Sequence, residues 1–331
     1  MKIVVLGAGA WGTALASALA SQHRVTIWGR DEVLMSSMAQ THYNSAYLPN
    51  ARLHSNLRFS EHFDKVIAEH NSENDLIIIA TPLSALRSTC HKIAATGTAA
   101  SLVWLCKGVE RGTLALPHQI VADVFGSDAP VGALSGPSFA AEVAQRLPCA
   151  LVLASTHERL NMGFVQQLNQ STLRIYHSTD VIGVEIGGAL KNVLAIAAGV
   201  CDGLELGSNA RAALITRGIA EMMRLGVALG AQPTTLSGLT GVGDLILTAT
   251  GNLSRNRRVG LALGAGQSIA NITASLGHVA DGALCAHARA ALASQHNVDM
   301  PITQAVCAVL DGLSPMVAVQ QLLTREASSE N

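Results

Sequence analysis

Two groups of residues in this chain have the types and spacing to do chemistry. One is an early cluster of glycines, and the other is a few charged groups set inside apolar stretches. Residues Gly7-Ala8-Gly9-Ala10-Trp11-Gly12 match G-x-G-x-x-G. Alone the pattern is weak, because a chain with 30 glycines can produce it by chance. Its setting makes it stronger: it follows the apolar run Lys2-Ile3-Val4-Val5-Leu6 and opens a helical pattern at Thr13. In that setting the first glycine makes a tight turn and the second lets backbone approach a pyrophosphate. The third lets helix and strand pack closely. The helix amino terminus then offers N–H groups to phosphate oxygens. The chemistry implied is dinucleotide binding.

The tip of the second strand sets the choice of dinucleotide. It reads Ile27-Trp28-Gly29-Arg30-Asp31. An acidic residue at the tip accepts the ribose hydroxyls of NAD, whereas an arginine suits the 2′-phosphate of NADP. Arg30 occupies the tip and Asp31 is free to cap the next helix, so the reading leans to NADP(H) with NAD(H) left open. Two later apolar runs end in Thr81-Pro82 and in Lys107-Gly108. Ligands of open α/β sheets bind beyond such carboxyl ends, so Lys107 is either a site group or a solvated lysine.

The second half carries few polar groups inside its apolar stretches. Lys191 and Asn192 interrupt Ile186-Gly187-Gly188-Ala189-Leu190-Lys191-Asn192-Val193-Leu194. On a helix, Gly187, Gly188 and Ala195 lie one turn from Lys191 and leave space beside its ammonium. Desolvation there would lower the lysine pKa toward the range of an acid–base catalyst, whereas a snorkelling lysine is the structural alternative. Asp244 follows two glycines in Gly241-Val242-Gly243-Asp244 and precedes a helical run, where capping is the plain reading. In Ser254-Arg255-Asn256-Arg257-Arg258, Ser254 can cap a helix whose first turn carries Arg255 and Asn256. An arginine at a helix amino terminus is physically a phosphate site, and a solvated basic turn is the alternative.

These groups need elements to position them. Strands are predicted at residues 3–6, 25–28, 76–80, 102–105, 131–134, 150–154 and 173–176, with helices at 13–21, 83–95 and 138–146 between them. Continuous apolar strands alternating with helices predict a Rossmann-type, doubly wound parallel sheet covered on both faces, over residues 1–180. From 181 to 331 the strand runs vanish, and helices are predicted at 181–200, 211–229, 255–263, 283–294 and 302–310. An α/β dinucleotide domain followed by an all-helical domain is therefore expected. Hydrophobic residues at 49% can build both cores, and aromatics at 3% make those cores aliphatic.

Composition also excludes classes of function. A net charge of -1 argues against nucleic-acid binding. The most apolar stretch, residues 181–200, holds Glu185, Lys191 and Asn192 and so argues against a membrane span. A strand pattern starting at Lys2 leaves no room for an export signal, which predicts a cytoplasmic protein. Six cysteines without a Cys-x-x-Cys pair and scattered histidines predict reduced thiols and no metal.

The chain resembles the bacterial NAD(P)-dependent glycerol-3-phosphate dehydrogenases from residue 2 to about 325. The segments carrying the likeness are 7–14, Cys106-Lys107-Gly108, Ser135-Gly136-Pro137-Ser138-Phe139-Ala140, 187–194, 209–218, 241–248 and 254–258. The resemblance implies reversible hydride transfer between NAD(P)H and dihydroxyacetone phosphate, giving sn-glycerol 3-phosphate for glycerophospholipid synthesis. Lys191 is implied as proton donor and acceptor, with Lys107 and Asp244 beside it and Asn192 and Thr248 orienting them. Ser254, Arg255 and Asn256 would hold the substrate phosphate, with Gly136 and Ser138 on its other side. Cofactor contacts are implied at Gly7, Gly9, Ala10, Trp11, Gly12, Arg30, Lys107, Ala140, Arg255, Val279 and Asp281. Ala10 stands where many relatives have Ser, which removes a side-chain hydroxyl near the pyrophosphate, and Asp281 stands where Glu is usual, which shortens the reach by a methylene. A homodimer is also implied. Competing readings are a 3-hydroxyacid or ketopantoate-type dehydrogenase, which gives no reason for residues 254–258, and a non-catalytic dinucleotide sensor, which has no use for Lys191.

Overall fold

Short runs rich in Ile, Val and Leu become strands because β-branched side chains pack well on a pleated, buried surface. The computed structural model describes residues 1–276 and 281–325. The strands are β1 (Lys2–Leu6), β2 (Arg24–Trp28), β3 (Tyr43–Asn44), β4 (Leu48–Arg52), β5 (Arg58–Ser60), β6 (Leu76–Ile79), β7 (Ser101–Trp104), β8 (Val131–Ser135), β9 (Cys149–Ala154) and β10 (Leu173–Ser178). Among them lie α1 (Ala10–Leu19), α2 (Glu32–Thr41), α3 (Phe63–Ala68), α4 (Leu86–Ala94), α5 (Pro117–Phe125), α6 (Ala140–Ala144) and α7 (Met162–Leu168). Helices follow: α8 (Val181–Gly203), α9 (Gly207–Ala228), α10 (Pro233–Leu236), α11 (Asp244–Thr250) and α12 (Arg255–Gly264). The last are α13 (Ile269–Leu276), α14 (Asp281–Gln295), α15 (Pro301–Leu310) and α16 (Pro315–Leu323).

The chain forms two compact units, residues 1–110 with 115–185, and residues 111–114 with 186–331. The first holds an eight-stranded sheet in the order β10-β9-β8-β7-β6-β1-β2-β5. Neighbours run parallel except β8 and β9, which are antiparallel. Alternate residues of each strand feed opposite faces. Ile3, Val5, Val25, Ile27, Leu76 and Ile78 enter one core, while Val4, Leu6, Ile77 and Ile79 enter the other. Both faces are buried, which is why these strands read as continuous apolar runs.

All seven sequence-predicted strands are present. Three are additional: the β3–β4 hairpin, and the edge strand β5, whose Arg58-Phe59-Ser60 lacks an apolar run because an edge strand need bury little. Helix α1 starts at Ala10, inside the glycine cluster, rather than at Thr13.

The second unit is helical. Its long helix α8 is long and apolar enough to cross a membrane, but 83% of its most apolar stretch is buried inside the protein. Helix α12 lies against α8 with almost no side chains between them. A Cβ on Gly260 would sit 2.0 Å from the Ile196 carbonyl oxygen, and one on Gly264 would sit 2.6 Å from that of Val200. The reciprocal contacts, Gly199 to Arg257 and Gly203 to Leu261, are as close. Four glycines thus lock one helix onto the other in a fixed register.

Candidate functional site

The first unit offers a phosphate cradle. Strand β1 lies between β2 and β6, so consecutive strands depart to opposite sides at its carboxyl end, the place where such sheets bind ligands. Gly7 there has φ +129°, and a Cβ would meet the Ala80 carbonyl oxygen at 2.7 Å. Gly12 seats α1 on this turn, since a Cβ would lie 2.3 Å from Gly7 O. Beside Gly9 there is open space. Helix α1 has no side-chain cap and no acidic residue in its first turn, so its positive end keeps its field. An absent acid, open space at Gly9 and small residues around the turn together fit a dinucleotide pyrophosphate.

Arg30 is exposed at the end of β2. Asp31 Oδ1 accepts from Leu34 N at 3.0 Å and caps α2, so its carboxylate serves the helix. Beyond β7 lies Lys107, half-buried, next to Cys106. The Cys106 thiol donates to Thr81 O at 3.1 Å, and burial pushes its pKa up to about 12, so it is no nucleophile. Beyond β8, Gly136 has φ +139° and its carbonyl accepts from Ser138 Oγ at 3.0 Å. Ala140 opens α6. Strands β1, β2, β6, β7 and β8 are parallel, so all these groups share one edge of the sheet.

The same unit holds a buried carboxylate. Glu185 Oε1 accepts from Trp104 Nε1 at 2.9 Å and from His118 N at 2.8 Å, and its Oε2 lies 2.5 Å from His118 Nδ1. Burial raises its pKa above the ordinary carboxyl value, and the bonds to His118 and Trp104 oppose that rise.

The second unit holds a buried ion pair. Lys191 Nζ donates to Asp244 Oδ1, with side-chain exposures of 12% and 0%. The space expected beside Lys191 is filled on the Gly187 side: a Cβ there would meet Thr240 O at 2.3 Å and Gly241 Cα at 3.0 Å. The small residue admits backbone, namely the π turn Leu239–Gly243 that delivers Asp244. Gly241 is forced by the same crowding, since a Cβ would lie 1.8 Å from Leu236 O. Asp244 is the first residue of α11, and its carboxylate accepts from Lys191. One turn on, Thr248 Oγ1 donates to Asp244 O at 2.6 Å.

The amino terminus of α12 lies along the same helix. Ser254 Oγ caps it, accepting from Arg257 N at 3.2 Å. Asn256 Oδ1 accepts from Gly282 N at 3.0 Å, and a Cβ on Gly282 would touch the Asn192 carbonyl at 2.8 Å. Gly282 of α14 thus packs against both Asn256 of α12 and Asn192 of α8, one turn before the Gly260–Ile196 contact. Arg255 and Lys191 precede those two asparagines. Arg257, which sequence reading grouped with Arg255, is structural: its guanidinium donates to Asp202 Oδ2 at 3.0 and 2.6 Å, and Arg211 binds Oδ1 at 2.9 Å. Arg255 itself is exposed.

Of the residues singled out in sequence, Gly7 to Gly12, Arg30, Lys107, Gly136, Ser138 and Ala140 gather at one sheet edge. Lys191, Asn192, Asp244, Thr248, Ser254, Arg255 and Asn256 gather around α8 and α12. Val279 and the side chain of Asp281 lie outside the described residues. Among the described residues no three His, Cys, Asp or Glu side chains are grouped to hold a metal.

Comparison with known proteins gives the following. Residues 2–161 match the NAD-dependent glycerol-3-phosphate dehydrogenase N-terminus, and residues 180–320 match the C-terminus of the same family. The chain is 54% identical to a glycerol-3-phosphate dehydrogenase [NAD(P)+] of Ralstonia nicotianae, covering 100% of this chain and 99% of that one. It is 53% identical to the same-named protein of Herminiimonas arsenicoxydans, with equal coverage. The crystal structure of a glycerol-3-phosphate dehydrogenase from Coxiella burnetii superposes with a TM-score of 0.92 at 39% identity, over 98% of this chain and 99% of that one.

Proposed function

The chain belongs to the NAD-dependent glycerol-3-phosphate dehydrogenase family, and from that premise we propose how its residues perform the reaction. It is an NAD(P)-dependent oxidoreductase that interconverts dihydroxyacetone phosphate and sn-glycerol 3-phosphate. Residues 1–180 hold the dinucleotide, through Gly7, Gly9, Ala10, Trp11, Gly12 and Arg30, with Lys107 and Ala140 nearby. Residues 181–331 hold the substrate. The reduced nicotinamide, when bound, supplies the hydride that the C2 carbonyl carbon accepts.

Lys191 gives its proton from Nζ to the ketone oxygen and takes it back in the reverse direction. A cation at the developing alkoxide stabilises charge that forms only in the transition state. Asp244 holds the Lys191 ammonium in one position, and Thr248 secures the backbone of Asp244. Asn192 and Lys107 orient the substrate beside them. Arg255, Asn256 and the α12 amino terminus hold the phosphate, with Gly136 and Ser138 completing its surroundings. Val279 and Asp281 are assigned to the cofactor by family likeness alone. Arg30 favours NADPH over NADH through the 2′-phosphate. The family likeness further supports a cytoplasmic homodimer that feeds glycerophospholipid synthesis.

The observation that carries this reading is the buried Lys191–Asp244 pair on the helix to which the Arg255–Asn256 terminus is registered. The test is oxidation of NADPH and NADH with dihydroxyacetone phosphate and then with unphosphorylated dihydroxyacetone. Turnover is expected with the phosphate ester alone. Equal rates on both ketones would remove the role given to Arg255 and Asn256.

A further inference from the structure

We propose that Asn44 is a positioning residue for the cofactor, aiming the phosphate-binding turn through a single carbonyl. This inference rests on the dinucleotide reading of Gly7 to Gly12. Asn44 ends β3, in the hairpin that the sequence pattern did not reveal, and it is completely buried. Its Nδ2 donates to Ala8 O at 2.8 Å and to Thr13 Oγ1 at 2.8 Å, while its Oδ1 accepts from Tyr47 N at 3.1 Å. The amide orientation is fixed by chemistry. A flipped amide would set oxygen against the Ala8 carbonyl and NH2 against the Tyr47 N–H, both repulsive.

The consequence lies at Gly9. A trans peptide is planar, and its C=O and N–H point in opposite directions. Holding the Ala8 carbonyl toward Asn44 therefore turns the Gly9 N–H the other way. The turn is closed by Ala80 against Gly7, whereas a Cβ added at Gly9 would meet nothing within 4 Å, which leaves room for a ligand at that backbone. The pyrophosphate enters there, so Asn44 decides how that N–H meets it. A second tether joins the same hairpin region to α1: His54 N donates to Ser17 Oγ at 2.9 Å. That bond holds the same two elements together without touching the turn, and it supplies an internal control.

The experiment measures NADPH dissociation constants directly, by titration without ketone, alongside steady-state constants for wild type, Asn44→Ala and Ser17→Ala. Asn44→Ala leaves the Ala8 carbonyl without its donor. It should raise both the dissociation constant and KM for NADPH by about tenfold, the effect of losing one hydrogen bond to a buried acceptor. With saturating cofactor, kcat and the KM for ketone should stay within about twofold, since uniform binding alone is lost. Ser17→Ala should lower thermal stability yet leave NADPH affinity at the wild-type value. If Asn44→Ala does not fold, Asn44→Ser, which leaves a hydroxyl and room for water, must show the same split. Tight NADPH binding by wild type together with unchanged affinity in the Asn44 variants overturns this inference alone. Wild type that binds no dinucleotide overturns the functional reading and this inference with it. An equal loss of affinity in Ser17→Ala would mark Asn44 as structural only.

Discussion

Replacing Gly187 by alanine tests whether close backbone approach builds the Lys191–Asp244 pair. Gly187 sits in the interior of α8, one turn before Lys191. Helix propensity favours the change: Gly to Ala in a helix interior gains about 1 kcal/mol. Packing opposes it, because the new Cβ would lie 2.3 Å from Thr240 O and 2.7 Å from Thr240 C. Those atoms are backbone and cannot rotate aside. Reaching ordinary contact at 3.4 Å requires the Leu239–Gly243 turn to retreat by about 1 Å. Overpacking of this kind costs about 1–3 kcal/mol, and an immovable obstacle places it toward the upper end, so packing should outweigh propensity by roughly 1–2 kcal/mol. For a chain of 331 residues that is a fall in Tm of roughly 1–3 °C.

The functional effect should be larger. The turn that retreats carries Asp244, so the variant pulls the carboxylate off Lys191. With Lys191 in its proposed role as proton donor, a displacement of this size costs on the order of 100-fold in kcat/KM. The assay pairs thermal unfolding with kcat/KM for dihydroxyacetone phosphate and KM for NADPH, which should not move. A variant at least as stable as wild type with a wild-type kcat/KM would refute the reasoning.

Lys191→Ala should keep NADPH binding while kcat falls by roughly 10²–10⁴-fold, the usual share of general acid–base catalysis; a wild-type rate would refute its assignment. Arg30→Asp should raise the KM for NADPH more than that for NADH, and an equal change would count against a 2′-phosphate contact. Glu185 gives a pH test. Burial raises its folded-state pKa above the ordinary 4.5, so as pH rises from 4.5 the unfolded chain loses its proton before the folded one does. That contribution to stability is full below 4.5 and is lost as pH climbs through the raised folded value. Glu185→Gln, neutral throughout, should therefore gain on wild type in urea midpoint as pH rises across that window; a constant difference from pH 4 to 7 would overturn the argument.

Much of the fold was legible in the sequence because the controlling interactions are local. Runs such as Leu76-Ile77-Ile78-Ile79 announce strands buried on two faces, and Ser254 announces a capped helix three residues from Arg257. The β3–β4 hairpin and β5 stayed hidden. Leu48-Pro49-Asn50-Ala51-Arg52 and Arg58-Phe59-Ser60 carry neither alternation nor an apolar run.

Local patterns were enough to place the glycine turn, the seven apolar strands, the change to helices after them, and the charged groups that interrupt apolar helices. What each of those groups faces was set by the packing of distant segments. Lys191 meets Asp244 across 53 residues, and Asn44 meets Ala8 across 36. A glycine at 187 or 260 reads the same whether a ligand or a backbone fills the vacancy it leaves. Periodicity reports that a face is covered, because burial is averaged over everything that touches it; the identity of the covering atoms is fixed only when distant segments pack.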